Sequence, residues 1–338
     1  MTLTAITDST LDDYRTLRGA TGLIDYTGAA LITVAGPQAA AFLGRVCTRG
    51  VDFLLEGQIS SVLMLAEDGT VRAEALIYCR GTEYLVQVWP EQADAARELI
   101  TTAAAGEAGV TVTDAGTELT TVGIEGPESF RIIQKFLAFP VASMAYRSFA
   151  TVEHGAVPLL ISRTGVTGEY GYTIHVPTAA AADLRGELVA LGARPVSREA
   201  VDVCRMETRF VNLEKESTGA ALAPYELGLQ WMVDANQDFT GKDALYAGWA
   251  AGTSRLPVCF SAGADDVPAA GTPVLAGGTE VGAVAYAVFS PTLGKVIGIA
   301  RVDRPVAASG LELTVDGTPA RTVSAPFLVA TSFGIPLE

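Results

Sequence analysis

The sequence predicts an α+β protein in which two related α+β domains precede an antiparallel β-barrel. Residues 30–46 (ALITVAGPQAAAFLGRV) and 120–136 (TTVGIEGPESFRIIQKF) each read as a strand, a Gly-Pro turn and a helix, which predicts the α+β pair. From about residue 253, short strands are separated by glycine, a pattern typical of a small barrel or sandwich. At 338 residues the chain is long enough for three such domains. We expect them at 1–50 with 140–245, at 51–139 and at 246–338.

The remaining elements follow from turn and helix signals. In each Gly-Pro turn, proline in the first helical turn loses no hydrogen bond, and the preceding glycine eases the change of direction. Residues 59–88 read as consecutive strands joined by tight turns at EDG and RGT. Segments 90–105 and 178–192 are rich in alanine and leucine and predict helices.

Composition and charge restrict the partners of the chain. Hydrophobic residues make up 49% and charged residues 18%, which is a globular composition. The net charge of −15 argues against nucleic acid and anionic membranes as partners, because both are bound through Lys and Arg. No local basic patch is visible in the sequence, so an acidic protein partner is disfavoured as well.

Targeting and metal signals are missing from the sequence. The first residues lack the basic and apolar regions of a signal peptide, and no apolar run approaches the ~18 residues that span a bilayer. The four cysteines are isolated and read as buried thiols, and His154 and His175 are too few for a histidine-based metal site. We expect a cytoplasmic protein without a metal.

Residues 162–172, SRTGVTGEYGY, combine three glycines with one acid, Glu169. Apolar strands on both sides predict a hairpin. Two interpretations are open from the residues alone. In the first, the turn holds nothing but an exposed acid; in the second, its glycines let the backbone bring the carboxylate against a ligand.

Several segments together resemble the glycine-cleavage T-protein (aminomethyltransferase) family. The hairpin segment is similar to the family's S-R-T-G-Y-T-G-E-D-G-[FY], and residues 287–302 (AVFSPTLGKVIGIARV) are similar to its F-S-P-T-L-G…A-R-V. Residues 239–245 (FTGKDAL) resemble F-I-G-[RK]-E-A-L, and residues 56–78 resemble its L-M-L-N-E-D-G-G-V strand pair. The matches run in order from about residue 20 to 327. The resemblance implies a three-domain cloverleaf that binds tetrahydrofolate in a central opening, with the first domain as the folate-binding one.

The resemblance also implies folate-binding residues. Glu169 falls on the family's pterin-binding glutamate, and a carboxylate can accept the two parallel donors of a pterin edge. Gly168 lies beside it, where glycine permits close approach of a flat ring. Arg205, in VDVCRMETRF, aligns with the arginine of D-x-L-R-L-E-A-G beside the folate, although a plain surface pair with the neighbouring acid is the alternative. Tyr225 and Arg301 match further family positions that would contact the cofactor or be structural.

Glu74 is the predicted catalytic residue. It lies where the family usually has the second aspartate of a D-D pair, and Ala73 replaces the first. A carboxylate near folate N5 would stabilise a developing cationic amine or move a proton. The alternative is a solvent-facing residue of a strand.

Departures from the family pattern fall on positions expected to face the second substrate. Ser61 replaces a tyrosine, Gly28 a histidine and Trp89 an asparagine, and Tyr170 replaces the aspartate after the pterin-binding glutamate. These four positions are the predicted substrate pocket. Since the folate-side residues are kept, the resemblance implies a family member with a different second substrate.

The expected function is transfer of a methyl or methylene group between folate N5 and a small-molecule substrate. The cofactor would be tetrahydrofolate or its 5-methyl or 5,10-methylene form. One alternative is a true aminomethyltransferase of glycine cleavage, although the −15 charge fits an acidic lipoyl carrier protein poorly. The other is a non-catalytic folate-binding protein, whose K-G-C-Y-x-G-Q motif is missing from residues 212–220. The oligomeric state expected is a monomer or a homodimer.

Overall fold

The computed structural model describes residues 6–252, 255–263 and 267–337. The strands, in chain order, are β1 (Gly22–Asp25), β2 (Ala30–Ala35), β3 (Ile59–Leu65), β4 (Val71–Cys79), β5 (Glu83–Val88), β6 (Thr111–Asp114), β7 (Leu119–Glu125), β8 (Phe149–His154), β9 (Val157–Ser162), β10 (Gly171–Pro177), β11 (Arg194–Pro195), β12 (Arg255–Ala262), β13 (Pro273–Ala276), β14 (Thr279–Ser290), β15 (Lys295–Asp303), β16 (Glu312–Val315) and β17 (Thr318–Val323). The α-helices are α1 (Asp8–Gly19), α2 (Ala39–Val46), α3 (Ala93–Ala104), α4 (Ser129–Ile133), α5 (Ala181–Ala190), α6 (Arg198–Thr208), α7 (Leu213–Ser217) and α8 (Lys242–Ala251). Short 3₁₀ turns lie at Pro90–Gln92, Val141–Ser143, Thr178–Ala180, Pro224–Glu226, Gln230–Met232, Arg304–Val306 and Thr331–Gly334.

Within the described ranges the strands form two open sheets and one closed barrel. The six-stranded sheet has the order β11-β1-β7-β10-β9-β8, and the five-stranded sheet has the order β3-β4-β5-β2-β6. The barrel closes in the order β12-β15-β14-β13-β16-β17 with antiparallel pairs throughout. The predicted fold class, two α+β units and a C-terminal antiparallel barrel, is confirmed.

Both strand–Gly-Pro–helix units are present, as β2–α2 and β7–α4. Their glycines, Gly36 and Gly126, have φ values of +108° and +132°. A Cβ atom at these positions would overlap the carbonyl oxygens of Gly109 and Ala20 respectively. Glycine is therefore required twice for the same reason, a left-handed turn pressed against backbone.

The division of the chain between the two sheets differs from the domain boundaries that we expected at residues 50 and 139. Strand β2 pairs with β5 and β6, and so belongs to the five-stranded sheet although it precedes residue 50. Strand β7 pairs with β1 and β10, and so belongs to the six-stranded sheet although it precedes residue 139. Each Gly-Pro unit supplies an inner strand of its own sheet, and this long-range pairing leaves no local mark in the sequence.

Helix α6 lies where the three units meet. It packs against α1 on one side and against the barrel strands β14 and β15 on the other. Most of its residues are therefore buried, including the charged Arg205 and Glu207 near its C-terminal end. The helix ends at Arg209, which adopts a left-handed conformation with φ +63°. This position brings polar side chains of α6 to the centre of the molecule.

Candidate active site

A central cavity of about 440 Å³ lies between the five-stranded sheet, helix α6 and the barrel. Its size is within the range of small-molecule sites. The residues that line it are Glu74, Tyr146, Arg147, Val166, Arg205, Thr208, Arg209, Phe210, Val211, Gly228, Leu229, Trp231, Pro257, Val258, Cys259 and Ile299. The described wall is thus apolar and aromatic, with one acid and three arginines.

Glu74 faces this cavity from strand β4, opposite Leu63 of β3. Its backbone N–H donates to Gln92 Oε1 at 2.8 Å, whereas no described residue donates a hydrogen bond to its carboxylate. Burial raises the pKa of Glu74, and the charges of Arg205 and Arg147 oppose that rise. Glu74 is half-buried and lines the cavity, rather than lying on an exposed face of the strand. Glu74 is a free carboxyl group that holds its proton to higher pH than an ordinary glutamate.

Arg205 reaches the same cavity from helix α6 and is 7% exposed. One terminal nitrogen donates to the Val211 carbonyl, and its Nε is buried without a hydrogen-bond partner. The alternative pairing with Glu207 is not formed, because residues two apart on a helix point to different sides. Arg205 and Glu74 are therefore the two predicted site residues that the fold brings to the central cavity.

Glu169 does not present its carboxylate to open space. Arg18 Nη1 donates to Oε1 at 2.9 Å, and the Thr331 N–H donates to the same oxygen at 3.1 Å. The N–H and hydroxyl of Ser332 donate to Oε2 at 2.8 and 2.6 Å. Both oxygens are thus engaged by protein donors, which does not fit the predicted contact with a pterin. In this geometry Glu169 fastens the C-terminal segment to the hairpin.

Arg18 joins two buried acids. Besides Glu169 it contacts Glu207, with Nη2 to Oε2 at 2.6 Å and Nε to Oε2 at 3.1 Å, and both carboxylates are fully buried. The other oxygen of Glu207 accepts hydrogen bonds from the hydroxyls of Tyr14 and Ser290. This cluster connects α1, the hairpin, α6 and the barrel. Sequence reasoning missed Arg18, because it lies in no motif and its partners are more than 150 positions away.

A second cavity, of about 800 Å³, lies between the hairpin and the C-terminal segment. Gly168 and Tyr170 line it together with Glu169. The predicted close approach at Gly168 is to protein, since φ is +80° and a Cβ atom would overlap the side chain of Thr208. Tyr170 donates from its N–H to Ser332 Oγ at 2.9 Å. Tyr146, Thr208 and Phe210 line both cavities, so the two are neighbours.

Three residues of the predicted substrate pocket lie outside both cavities. Ser61 is buried within strand β3, 2% exposed. Trp89 is buried against Tyr26 with ring centroids 4.9 Å apart. Gly28 forms a turn with φ +93°, and a Cβ atom added there would lie 3.8 Å from Pro90 Cβ. The structure therefore gives these positions packing and turn roles.

Tyr225 and Arg301 also lie outside the two cavities. Tyr225 packs its ring against Trp249 at 5.1 Å between centroids. Arg301 donates from Nη1 to the Glu216 carbonyl at 2.8 Å and so ties the barrel to helix α7. Their predicted cofactor contact is not supported by these positions, and the structural alternative for both fits the geometry.

Local positive charge at the central cavity corrects the expectation drawn from the −15 net charge. Arg147 and Arg205 line the cavity, and Arg49 lies over the ring of the lining residue Trp231 at 5.4 Å. The sequence did not reveal this patch because its arginines come from separate loops and a helix. The net charge of a sequence does not show which charged residues lie close together after folding.

The comparisons with known proteins agree with this architecture. The family model described as "GCVT N-terminal domain" matches residues 4–237, and the "Glycine cleavage T-protein C-terminal barrel domain" matches residues 255–328. The aminomethyltransferase of Geobacillus kaustophilus is 32% identical over 313 residues, which cover 90% of this chain and 85% of that protein. The aminomethyltransferase of Rubrobacter xylanophilus is 30% identical over 325 residues, covering 93% and 85%.

Among solved structures, the glycine cleavage system aminomethyltransferase T from Bartonella henselae superposes with a TM-score of 0.85. It is 20% identical in sequence, and the match covers 97% of this chain and 92% of that one. The family model and the aminomethyltransferase relatives define an enzyme of the one-carbon group-transferase class. The chain belongs to the glycine cleavage T-protein (aminomethyltransferase) family, as the sequence motifs predicted.

Two further expectations can be compared with the described part of the chain. None of its helices is long and apolar enough to cross a membrane. The four cysteines are buried free thiols, as their isolated spacing predicted, and burial raises the pKa of Cys47 to about 12. A thiol with such a pKa stays protonated and unreactive at neutral pH.

Proposed function

We propose that this enzyme is a tetrahydrofolate-dependent transferase that moves a methyl or methylene group between folate N5 and a small-molecule substrate. The observation that carries the proposal is the Glu74 carboxyl group, which faces the central cavity without a hydrogen-bond donor and has a raised pKa. Membership of the aminomethyltransferase family supports one-carbon transfer as the reaction type.

The central cavity fits a reduced pterin. Such a ring is flat and carries both donors and acceptors at its edge. Glu74 offers free acceptor oxygens, and Arg205 offers a buried Nε–H without a partner. Phe210 and Val166 supply apolar wall for the ring faces. We therefore assign pterin recognition to this wall. The role that we assign to Glu169 is to anchor the C-terminal segment.

Tetrahydrofolate supplies a secondary amine at N5 that accepts or releases a one-carbon unit. The protein contributes three things around it. The cavity wall holds two reactants together, an effect worth up to ~7–11 kcal/mol in favourable cases. Arg205 and Arg147 orient polar groups by charge. Glu74 holds or delivers a proton at the reacting nitrogen, which typically contributes ~10²–10⁴-fold in rate.

A small second substrate agrees with the volume of the central cavity, about 440 Å³, and with the adjacent apolar cavity beside Tyr146 and Phe210. The predicted pocket residues Ser61, Trp89 and Gly28 no longer support a changed substrate, because they lie outside both cavities. Glycine cleavage with a lipoyl carrier protein is thus a second candidate. The arginines near Trp231 favour it, since an acidic carrier needs local positive charge.

A binding titration followed by a substrate screen tests the proposal. The chain is titrated calorimetrically with tetrahydrofolate and its 5-methyl and 5,10-methylene forms, and we expect saturable binding of at least one. Methylated amines, ethers and thioethers are then screened for folate methylation, alongside glycine cleavage with a lipoyl carrier. Turnover with a small molecule supports the main candidate, and turnover only with the carrier supports the second. Binding of no folate contradicts both.

A further inference from the structure

The central cavity is more positive than the whole chain. The net charge is −15, yet within the described residues its wall contains Arg147, Arg205 and Arg209 against a single acid, Glu74. Arg209 is neutralised by a two-point contact with Glu216 at 2.9 and 3.0 Å. The other two arginines have no such partner on the wall. A cavity of this kind attracts anionic groups.

Arg147 is the most available of these cations. No described residue forms a hydrogen bond or ion pair with its guanidinium group, which lies over the ring of Tyr146 at 5.5 Å. Tyr146 is 54% exposed while it lines the cavity, so Arg147 lies at the rim rather than at the closed end. A guanidinium group presents five N–H donors in a planar fork. At the rim of this cavity that fork is free to take a ligand.

The backbone of Arg147 is fixed in an uncommon conformation. Its φ is +59°, a left-handed value that non-glycine residues rarely adopt. Its N–H donates to the Arg163 carbonyl at 3.0 Å, and its carbonyl accepts from the Ile59 N–H at 2.9 Å. Hydrogen bonds to the first residue of β3 and to the residue that follows β9 therefore fix the backbone from which the side chain extends. Strained residues held in this way are concentrated at ligand sites.

Arg49 adds a second positive charge at the same rim. It donates to the Trp231 carbonyl and covers the indole ring at 5.4 Å, and Trp231 is itself a rim residue. Burial and the nearby Arg147 lower the pKa of Arg49, and the exposed Asp234 opposes them. Two like charges close together repel, and an anion between them would relieve that repulsion.

We propose that Arg147, with Arg49 beside it, binds a carboxylate group at the rim of the central cavity. An arginine fork and a carboxylate form a two-point pair, which is among the stronger polar contacts in proteins. This inference rests on the proposed function, because the first source of such a carboxylate is the glutamate end of the folate. The second source is a carboxylate on the small-molecule substrate.

The test removes the charge and retains the backbone. Arg147→Asn suits the purpose because asparagine tolerates a left-handed conformation. Arg49→Gln is the second variant, and Arg194→Gln on strand β11, outside both cavities, is the matched control. Affinities are measured for tetrahydrofolate and for the primary amide of tetrahydropteroate, which lacks the glutamate and carries no carboxylate. We expect Arg147→Asn to weaken binding of tetrahydrofolate about ten-fold or more and binding of the amide less than about two-fold.

A second arm covers the other source of the carboxylate. The rise in melting temperature of the parent and of each variant is measured with N-methylglycine and with dimethylamine. Dimethylamine is the same amine without the carboxylate. If the folate affinities do not change, selective loss of the N-methylglycine effect in Arg147→Asn assigns the subsite to the substrate. The inference is overturned if Arg147→Asn and Arg194→Gln have the same affinity for tetrahydrofolate and the same thermal stabilisation by N-methylglycine. A parent protein that binds neither folate form contradicts the proposed function instead, and the second arm still decides the subsite.

Discussion

Arg18 is the side chain on which we expect the three-domain arrangement to depend most. It donates to the buried carboxylates of Glu169 and Glu207 and to the carbonyls of Thr167 and Cys204. Replacing it by methionine keeps much of the apolar volume and leaves two buried acids without their cation. Breaking a buried pair in this way typically costs about 3–5 kcal/mol.

The hydrogen bonds that remain in Arg18→Met determine how much stability the variant loses within the range of about 3–5 kcal/mol. Without Arg18, Glu169 keeps three donors, from the Thr331 N–H and from the N–H and hydroxyl of Ser332. Glu207 keeps the hydroxyls of Tyr14 and Ser290. Neither carboxylate loses every partner, but both lose the opposite charge. We expect a loss of about 4 kcal/mol in the free energy of unfolding.

Urea unfolding followed by tryptophan fluorescence measures this loss. Arg15→Met is the matched control, because Arg15 lies on the same helix in an exposed pair with Asp12 at 3.1 Å. Such surface pairs contribute about 0–1 kcal/mol. Adding Glu207→Gln to Arg18→Met should recover part of the loss, since it removes one unpaired charge. If Arg18→Met and Arg15→Met unfold at the same urea concentration, the cluster does not hold the domains as we argue.

Two other predictions concern stability. His175 is buried beside Thr121, and burial lowers its pKa to about 3, so stability present above pH 6.5 is lost as the pH falls towards 3. Between pH 7 and 5 this loss is about 2 kcal/mol, and His175→Phe should show a correspondingly flatter pH dependence in urea unfolding. Gly168→Ala should destabilise by at least about 1–2 kcal/mol, because φ is +80° and Thr208 blocks a Cβ atom. Gly186→Ala, in helix α5 with open space around it, should instead stabilise by about 0.5–1 kcal/mol. Thermal melts of both variants that shift in the same direction would contradict the glycine argument.

The fold followed from the sequence where the signals were local. Strand–Gly-Pro–helix units, the EDG and RGT turns and the glycine-split barrel strands all depend on residues within a few positions of each other, and all are present. Sheet membership did not follow, because pairing of β2 with β5 depends on residues about fifty positions apart. The local sequence patterns therefore predicted the number of domains but not the positions of their boundaries.

The site was predicted in part for the same reason. Glu74 and Arg205 were found from motif positions, and the fold brings both to the central cavity. Glu169 was placed correctly in a hairpin, but its carboxylate partners come from Arg18 and from residues 331–332. A motif gives the position of a residue in the sequence. It does not show which protein groups donate hydrogen bonds to the carboxylate of that residue. Arg147 belonged to no motif and was found only through the cavity.

The sign of the Glu74 pKa shift gives a prediction for the pH profile. Burial raises this pKa above the ordinary range near 4.5. The logarithm of kcat/KM should therefore change slope at a pH above that range, rising with pH if Glu74 acts as a base and falling if it acts as an acid. Glu74→Gln should lack this change of slope. A profile that is identical in the two proteins would remove Glu74 from the chemistry.

The most direct test of the account compares the transfer rate and the folate affinity of the parent with those of Glu74→Gln. Single-turnover transfer is measured with saturating tetrahydrofolate as the acceptor and the methylated small molecule found in the screen as the donor, and Glu98→Gln on the exposed face of α3 is the control. We predict a rate lower by about 10²–10⁴-fold with folate affinity changed by less than about ten-fold. An unchanged rate in Glu74→Gln would contradict the claim that this cavity and its free carboxyl group perform the transfer.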